Sequence, residues 1–449
     1  MMFSHPRPLT AVAAALLLLS LGGCTPKMLQ DTASVPLLPP PAGVEDLERF
    51  PQQIDSYLIR LNERNATLPL QNTYKTEYYK VWQDDYVPEA LEDAKWPFDV
   101  FRPENAYGQN LQPLSQAWFY AMLREADWQA YGSVAGRAVA LHRLDLRNFP
   151  THKPLFHDPS VAGEGFPFDY LQNSTVFAGE PLYLSHYSKS GAWAYVLTSY
   201  ATGWVPSERI APVGRAEREI LQAQPLVGLL EDRMPIHSLR GQYMFEGYVG
   251  MVLPLQQKSA AQWRVDPAGH AGTAEIPHQA AAVLPMTFTR ENMRRVITPV
   301  MQTTYGWGGL YGERDCSSTL RDIFAPFGLW LPRNSYKQSR VGTVVSFEGL
   351  DDAAKLARIA AEGRPFETLL YLKGHILLYL GIYDGEPAVL HTVWGVKTVD
   401  DEGNFGRHII GKTVISSLRL GHELEGYSDE YSLLHKVESM NFVFEEGEE

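Results

Sequence analysis

The sequence contains very little cysteine and has no excess of positive charge. Only two cysteines, Cys24 and Cys316, occur in 449 residues, which excludes a framework of several disulfides. The formal net charge of −13 argues against a nucleic acid or an anionic lipid surface as the main partner. A hydrophobic content of 45% is typical of globular proteins, and the length predicts roughly two to four domains.

Long apolar runs are also scarce. Beyond the run from Leu9 to Leu21, no stretch is long and apolar enough to cross a membrane. That run follows Arg7 and ends in Leu-Gly-Gly-Cys24, which resembles the lipobox of bacterial lipoproteins. We therefore expect Cys24 to carry lipid. The alternative is an ordinary cleaved signal peptide in which Cys24 is incidental.

Lipidation at Cys24 would fix both the location of the protein and the state of its second cysteine. The chain would be anchored in the bacterial cell envelope and face the periplasm. An aspartate directly after the lipidated cysteine is associated with inner-membrane retention in some bacteria. This chain has Thr25 there instead, which favours the outer membrane. Cys316 would then be a single thiol without a disulfide partner, either buried and inert or used in chemistry.

Changes in composition divide the chain into six segments. The stretch VPLLPPPAG is a proline-rich tether, and Leu47, Ile54, Leu58 and Leu61 predict an amphipathic helix after it. The expected segments are a lipoprotein signal peptide (1–23), the tether (24–43), a helical cap or clamp (44–135), two SH3-like β-barrels (136–212 and 213–285) and an α+β domain (286–449).

Alternation of apolar and polar residues carries the two barrel predictions. In GEPLYLSHYSKSGAWAYVLTSYATGWVPSERI, Trp193, Tyr195 and Leu197 would share one face of a strand. The Gly-Glu turn, the strand tryptophan and the late Gly-Trp-Val resemble a bacterial SH3-like barrel. MPIHSLRG, YVGMVLPL and AAQWRVDP predict strands of a second, divergent barrel, which suggests an internal duplication. Small barrels of this kind serve as binding modules or spacers.

The second cysteine follows a glycine-rich turn in YGWGGLYGERDCSSTL, residues 305–320. Asp315 is a good helix N-cap, and the apolar residues after it recur at helical spacing. Cys316 would thus lie in the first turn of a helix, on its packed face. The helix dipole and a nearby histidine would lower the pKa of the thiol there, which is the environment of a nucleophile.

A base for this thiol is available in GHILLYLGIYDGEPAVLHTVW, which predicts two strands joined by a tight turn. His375 and His391 are equally distant from Tyr383, so a hairpin symmetric about Tyr383 would bring them opposite each other on one face. His375 could then take the thiol proton while His391 orients its ring. The alternative is that both are ordinary sheet histidines.

Together these motifs resemble the NlpC/P60 family of papain-like cell-wall cysteine peptidases. The resemblance covers residues 286–449 and rests on Tyr-Gly-Trp-Gly-Gly from Tyr305, Asp-Cys-Ser from Asp315, Leu-Pro-Arg-Asn-Ser ending at Ser335, and the strand from His375 to Gly381. It implies a papain-like α+β fold for this domain. With the lipobox, helical segment and two barrels, the multidomain chain resembles the γ-D-glutamyl-L-diamino acid endopeptidases.

The resemblance implies a catalytic set and a substrate-binding set. The catalytic set is Cys316 as nucleophile, His375 as base, His391 as orienting residue and Tyr305 as an oxyanion donor beside the Cys316 N–H. The binding set is Asp315 for the amine of an N-terminal L-Ala, Ser317 and Ser335 for the D-Glu α-carboxylate, and Tyr200 or Asp169 from the first barrel for the same amine. A turn aspartate such as Asp169 is, however, often a local cap.

Two positions depart from the family pattern. Ser318 replaces a glycine, which should permit the helix and leave the chemistry unchanged. The approach to His375 reads FETLLYLKGH instead of a Gly-Asp-Leu-Val turn, so the backbone before the base is expected to differ.

The expected reaction is hydrolysis of the γ-D-Glu–diamino acid bond in peptidoglycan stem peptides that carry a free amine, without metal or other cofactor. Two alternatives remain. One is a non-catalytic wall-binding lipoprotein. The other is a cysteine enzyme of the same family that cleaves cross-links or the muramoyl amide, or transfers acyl groups.

Overall fold

A computed structural model describes residues 43–63, 71–259, 261–268 and 272–444. The predicted signal peptide, the lipidation site Cys24 and all of the predicted tether except Gly43 lie outside these residues. Within the described ranges, no helix has the length and apolar character needed to span a membrane.

Short helices make up the N-terminal segment. They are α1 Glu45–Arg49, α2 Asp55–Leu58, α3 Gln71–Tyr78, α4 Leu91–Ala94, α5 Trp96–Val100 and α6 Gln116–Ala126. The single helix predicted from Leu47 to Leu61 is wrong, because Phe50, the residue before Pro51, is extended and separates α1 from α2. The four apolar residues of the pattern are nevertheless buried.

The N-terminal segment contacts the first barrel and the C-terminal domain. Ile54, Leu58 and Leu61 pack into the core of the C-terminal domain. Farther along, Trp82 and Trp128 pack into an aromatic cluster with residues of the first barrel. The segment therefore bridges a barrel and the C-terminal domain.

Two seven-stranded antiparallel sheets follow, joined by α7 Arg215–Ala223. The first contains β1 Gly136–Ala140, β2 Leu144–Arg147, β3 Gln172–Val176, β4 Pro181–Tyr187, β5 Trp193–Leu197, β6 Thr202–Pro206 and β7 Ile210–Pro212. The second contains β8 Leu226–Leu229, β9 Met234–Ser238, β10 Tyr243–Gly247, β11 Val252–Lys258, β12 Gln262–Val265, β13 Ala274–Pro277 and β14 Ala281–Val283.

The two sheets have the same strand order. The first runs β3-β2-β6-β5-β4-β1-β7, and the second runs β10-β9-β13-β12-β11-β8-β14, the same order shifted by seven strands. This agrees with the predicted internal duplication. Alternation along β5 is also as predicted, since Trp193, Tyr195 and Leu197 pack with the N-terminal aromatic cluster while Ala194 and Val196 fill the barrel core.

The C-terminal domain combines helices with one antiparallel sheet of order β15-β20-β16-β17-β18-β19. Its helices are α8 Arg290–Val300, α9 Cys316–Phe324, α10 Ser335–Gln338, α11 Asp352–Glu362 and α12 Leu433–Lys436. Its strands are β15 Thr343–Ser346, β16 Thr368–Leu372, β17 His375–Tyr383, β18 Glu386–Val399, β19 Phe405–Ser416 and β20 Ser439–Phe442. Helix α9 buries Leu320, Ile323 and Phe324 in the same core as Leu378 and Leu390 of the sheet.

Buried ion pairs attach both barrels to α9 and the residues before it. Arg321 on α9 lies 3.3 Å from Glu180 of the first barrel. Arg314, just before α9, pairs with Asp232 of the second barrel at 2.5 Å and with Asp322 of α9 at 2.7 Å. The helix that carries Cys316 is thereby fixed between the sheet and the two barrels.

Candidate active site

Helix α9 begins at Cys316, and two reciprocal hydrogen bonds between Asp315 and Ser318 cap its N-terminal end. The Asp315 carboxylate accepts the Ser318 N–H at 2.9 Å, and the Asp315 N–H donates to the Ser318 hydroxyl at 2.9 Å. This reciprocal capping box satisfies two N–H groups at the helix start. Ser318, which replaces the family's glycine, therefore contributes to the cap.

The glycine-rich turn before α9 fits closely against the first barrel. Gly308 has a φ of 60°, and a Cβ added there would lie 2.6 Å from the Gln172 side chain. Gly309 has a φ of 88° and would meet Thr175 in the same way. Glycine permits both the left-handed backbone and this close approach. The turn thus packs the first barrel closely against the segment that leads into the N-terminal end of α9.

The Cys316 sulfur is buried beside the start of β17. The backbone N–H of Ile376, the residue after His375, is close enough to the sulfur to lower the pKa of the thiol in part. Burial, with a smaller contribution from the Asp315 carboxylate, raises the pKa of the Cys316 thiol to about 12. The prediction that the helix start lowers this pKa is therefore wrong. Desolvation of the sulfur outweighs the local N–H groups and the Arg333 guanidinium, which act in the opposite direction.

The two predicted histidines lie on one face of the β17–β18 hairpin, although the predicted centre of the hairpin is wrong. The turn is at Asp384 and Gly385, both with positive φ, because Tyr383 pairs with Glu386. Regular pairing from that turn would set His391 on the face opposite His375.

A β-bulge restores the shared face. Gly381 pairs with Ala388 and Tyr379 pairs with Val389, so Leu380 is an extra residue in β17. Beyond the bulge, Leu378 pairs with Leu390, which sets His391 diagonally across from His375. Their rings meet there, with His375 Nε2 at 2.8 Å from His391 Nδ1.

A serine continues this chain of hydrogen bonds. His391 Nε2 lies 3.0 Å from the Ser416 hydroxyl, which in turn lies 2.8 Å from the Ser417 carbonyl oxygen. The carbonyl can only accept, so the Ser416 hydroxyl uses its proton there and accepts from His391 Nε2–H. His391 Nδ1 then accepts from His375 Nε2–H. His375 Nδ1 is left as the nitrogen that can take a proton from another group.

Both rings are held neutral by their surroundings. Burial lowers the pKa of His375 to about 4, although the Asp315 carboxylate raises it in part. Burial, and then the neighbouring His375 ring, lowers the pKa of His391 well below its usual value. As pH falls, His375 keeps its free base form through the usual histidine range and gains a proton only near pH 4. Between that pH and the pKa of Cys316, thiol and imidazole are both uncharged.

Cys316 opens onto a cavity of about 810 Å³ built from three parts of the chain. The C-terminal domain supplies most of the wall, including Tyr305, Asp315, Ser317, Arg333, Ser335 and Lys337. The first barrel supplies Asn173 and residues 198–202, which include Tyr200. The N-terminal segment supplies Lys80, Glu89 and Trp96.

Asp315 and Arg333 form a bidentate ion pair in this wall. Arg333 Nη1 and Nη2 donate to the two carboxylate oxygens at 3.1 and 2.7 Å. Burial alone would raise the pKa of Asp315, but the Arg333 guanidinium overrides it and holds the pKa below its usual value. Arg333 also donates to the Ser317 hydroxyl at 2.9 Å. The charge expected to attract an amine at Asp315 is thus neutralised within the protein.

Tyr305 and Ser335 line the cavity, and their hydroxyl groups have no hydrogen-bond partner among the described residues. Tyr200 lines it too, but its hydroxyl lies 2.9 Å from Glu180 and 2.8 Å from the Thr175 carbonyl oxygen. The Arg321 guanidinium covers the Tyr200 ring at 3.7 Å. The Tyr200 hydroxyl is therefore engaged inside the barrel.

Asp169 does not line the cavity. Its carboxylate is buried, accepts from Arg147 at 2.7 Å and accepts the N–H groups of Leu155 and Leu171 at 3.0 Å. These contacts fix its own loop. The structure therefore contradicts a substrate-binding role for Asp169, and the reason is the local capping that turn aspartates often perform.

Family models match three parts of the chain. Residues 302–412 match the NlpC/P60 family, residues 12–131 match the NLPC_P60 stabilising domain and residues 154–206 match an SH3 domain of SH3b1 type. The chain therefore contains an NlpC/P60 domain, preceded by the stabilising domain of that family and an SH3 domain. The predicted fold class is confirmed: an SH3-type barrel and a C-terminal NlpC/P60 domain occur in one multidomain chain. At this level the protein is a peptidase of a family associated with peptidoglycan.

A solved structure shares this fold. An NlpC/P60 endopeptidase from Photobacterium damselae subsp. piscicida is similar over 88% of this chain and 97% of its own, with 23% identity and a TM-score of 0.76. An NlpC/P60 family protein from Bacillus cereus matches 69% of this chain and 100% of its own, with 16% identity and a TM-score of 0.46. No curated protein matches the chain.

Sequence reasoning about this NlpC/P60 chain missed three side chains of the site. Arg333 stood inside the recognised Leu-Pro-Arg-Asn-Ser motif, and its position 18 residues from Asp315 gave no sign of an ion pair. Ser416 and Glu89 lie far from every motif in sequence. Only the strand pairing and the cavity bring them to the site.

Replacing Ser416 tests the hydrogen-bond chain of this NlpC/P60 site. In Ser416→Ala, His391 loses the acceptor that fixes its tautomer, so we expect kcat to fall roughly tenfold to a hundredfold while KM stays unchanged. Ser416→Thr keeps the hydroxyl and should recover most of kcat. The measurement is steady-state hydrolysis of a stem peptide, with thermal midpoints to check folding. An unchanged kcat in folded Ser416→Ala would contradict this role.

Proposed function

We propose that this NlpC/P60 peptidase hydrolyses the γ-D-glutamyl–diamino acid bond of peptidoglycan stem peptides, with Cys316 as the nucleophile. One observation carries the proposal. The Cys316 thiol, at the start of helix α9, lies beside the strand that begins at His375. The His375 ring is oriented by its hydrogen bond with His391. A wall-binding module needs neither group, which disfavours the non-catalytic alternative.

The proposed reaction uses the neutral pair directly. His375 Nδ1 takes the Cys316 proton as the sulfur attacks the γ-carbonyl carbon of D-Glu. The Cys316 N–H and the Tyr305 hydroxyl would stabilise the oxyanion, a contribution of about 3 kcal/mol in comparable sites. His375 then donates its proton to the leaving amine of the diamino acid. Water, deprotonated by His375, hydrolyses the thioester and restores the thiol.

Charges in the cavity support a substrate with both carboxylates and an amine. Lys337 is a cationic group of the wall on helix α10, which begins at Ser335, and Arg333 donates to Ser317; these are the two serines proposed for the D-Glu α-carboxylate. A stem peptide released from glycan also carries a free L-Ala amine. We propose such free stems as the preferred substrate, because glycan attachment converts that amine to an uncharged amide.

Product analysis tests the proposed function. Wild-type protein should release L-Ala-γ-D-Glu from free stem peptides, and Cys316→Ala should release none, because the attacking sulfur is gone. The measurement is mass spectrometry of digests of free stems and of glycan-linked muropeptides. Cleavage confined to cross-links or to the muramoyl amide would contradict the proposed bond. Residual hydrolysis by Cys316→Ala would contradict the proposed nucleophile.

The cellular location is proposed from the sequence alone. We propose that Cys24 carries lipid and anchors the enzyme in the cell envelope, with the outer membrane preferred. In cells fed an alkyne-tagged fatty acid, the full-length chain should acquire the tag and Cys24→Ala should not. A chain that is exported and cleaved without the tag would contradict the anchor.

A further inference from the structure

Four threonine hydroxyls form a continuous hydrogen-bonded chain inside the C-terminal domain. The Thr319 hydroxyl lies 2.5 Å from the Thr392 hydroxyl, which lies 2.7 Å from the Thr413 hydroxyl. The Thr413 hydroxyl lies 3.1 Å from that of Thr303, which ends the chain on the Val300 carbonyl oxygen at 2.7 Å. All four threonines are buried, with at most 6% of any residue exposed. None of the four lines the active-site cavity.

The Val300 carbonyl oxygen fixes the direction of this chain. It can only accept, so the Thr303 hydroxyl donates to it and accepts from Thr413. Thr413 must then accept from Thr392, which in turn accepts from Thr319. Every hydroxyl proton of the chain therefore has an acceptor, so the four polar groups are buried without an unsatisfied donor.

Each threonine lies within three residues of a different member of the proposed site. The pairs are Thr319 with Cys316 on α9, Thr392 with His391 on β18, Thr413 with Ser416 on β19, and Thr303 with Tyr305 in the segment after α8. The chain thus joins the elements that carry the proposed nucleophile, the orienting histidine, its serine and the oxyanion donor. Because these elements are distant in sequence, tertiary contacts must fix the spacing between them.

The contact between Thr319 and Thr392 sets how closely α9 approaches the sheet. Side chains alternate along a strand, so Thr392 faces α9 while the neighbouring His391 points to the other face. Hydrogen-bonded oxygen atoms lie about 2.5 to 3.0 Å apart, whereas carbon atoms in contact lie about 3.5 to 4.0 Å apart. The hydroxyl pair therefore holds the helix roughly 0.5 to 1 Å nearer to the strand than a methyl group in its place would.

We propose that Thr392 and its hydroxyl partners set the position of the Cys316 thiol relative to the two histidine rings. The inference rests on the proposed function and adds the residues that fix its geometry. The threonines are positioning residues, because they act through the segments that carry Cys316 and His391. A displacement of about 1 Å between reacting groups can lower a rate about a hundredfold.

Replacing the central threonine by valine tests this role, because valine keeps the shape of the side chain and lacks the hydroxyl. Thr392→Val should lower kcat for a free stem peptide roughly tenfold to a hundredfold and leave KM unchanged. Thr392→Ser retains a hydroxyl and should recover most of kcat. Thr319→Val, which breaks one hydrogen bond of the chain instead of two, should give a smaller loss and carries the test if Thr392→Val does not fold.

Thr368→Val is the matched control. Thr368 is a buried threonine of the same sheet, on β16, and its hydroxyl accepts the Arg364 N–H at 2.8 Å. The change should lower the thermal midpoint without lowering kcat, because this hydroxyl lies outside the chain. It therefore separates the general cost of losing a buried hydroxyl from the positioning role.

Two further measurements examine the geometry itself. Crystal structures of wild type and Thr392→Val should show the distance from the Cys316 sulfur to His375 Nδ1 lengthened by roughly 0.5 to 1 Å. Since Thr319 donates only to Thr392 within the chain, adding Thr319→Val to Thr392→Val should lower kcat no further.

The outcomes distinguish this inference from the proposed function. An unchanged sulfur-to-imidazole distance, an unchanged kcat in folded Thr392→Val, or an equal loss of kcat in Thr368→Val would overturn the positioning role. Losses that multiply fully in the double variant would overturn it as well. Failure of wild type to cleave any stem peptide would instead overturn the proposed function, and the two crystal structures would then decide whether the chain sets the spacing.

Discussion

The hydrogen bond between the His375 and His391 rings is the contact on which the candidate site depends. It joins neighbouring strands, and it forms because one bulged residue, Leu380, returns both histidines to the same face of the sheet. The Ser416 hydroxyl donates to a carbonyl oxygen, which can only accept. This fixes the donor and the acceptor in each hydrogen bond from Ser416 through His391 to His375. A backbone irregularity and a serine thus decide which nitrogen of His375 can take a proton.

Burial governs the charge of the site more strongly than the helix start does. The same packed core that presents Cys316 to β17 removes water from the sulfur and from both rings, which favours their neutral forms. Asp315 remains ionised because its carboxylate forms an ion pair with the Arg333 guanidinium in the same buried environment. The site therefore contains one neutralised ion pair, together with a thiol and an imidazole that are both uncharged.

Periodicity and motifs predicted the domain types, the strand alternation of β5 and the helix that begins at Cys316. They could not reveal the Leu380 bulge, since a single extra residue leaves the alternating pattern almost unchanged. The ion pair between Asp315 and Arg333 depends on how a loop folds back, which spacing does not encode. The predicted substrate-binding role of Asp169 was wrong because a capping carboxylate and a binding carboxylate look alike in sequence. The position of Glu89 in the cavity wall arises from domain packing, which local patterns do not describe.

The central claim of the proposed reaction is that a neutral His375, protonated at Nε2, accepts the thiol proton at Nδ1. NMR of protein labelled at its histidine ring nitrogens tests this most directly, with the two resonance sets assigned from His375→Ala and His391→Ala. Near neutral pH we predict Nε2–H tautomers for both rings, with His375 becoming doubly protonated only as pH approaches about 4. A doubly protonated His375 at neutral pH, lost in Cys316→Ala, would reveal a thiolate–imidazolium pair and contradict the account.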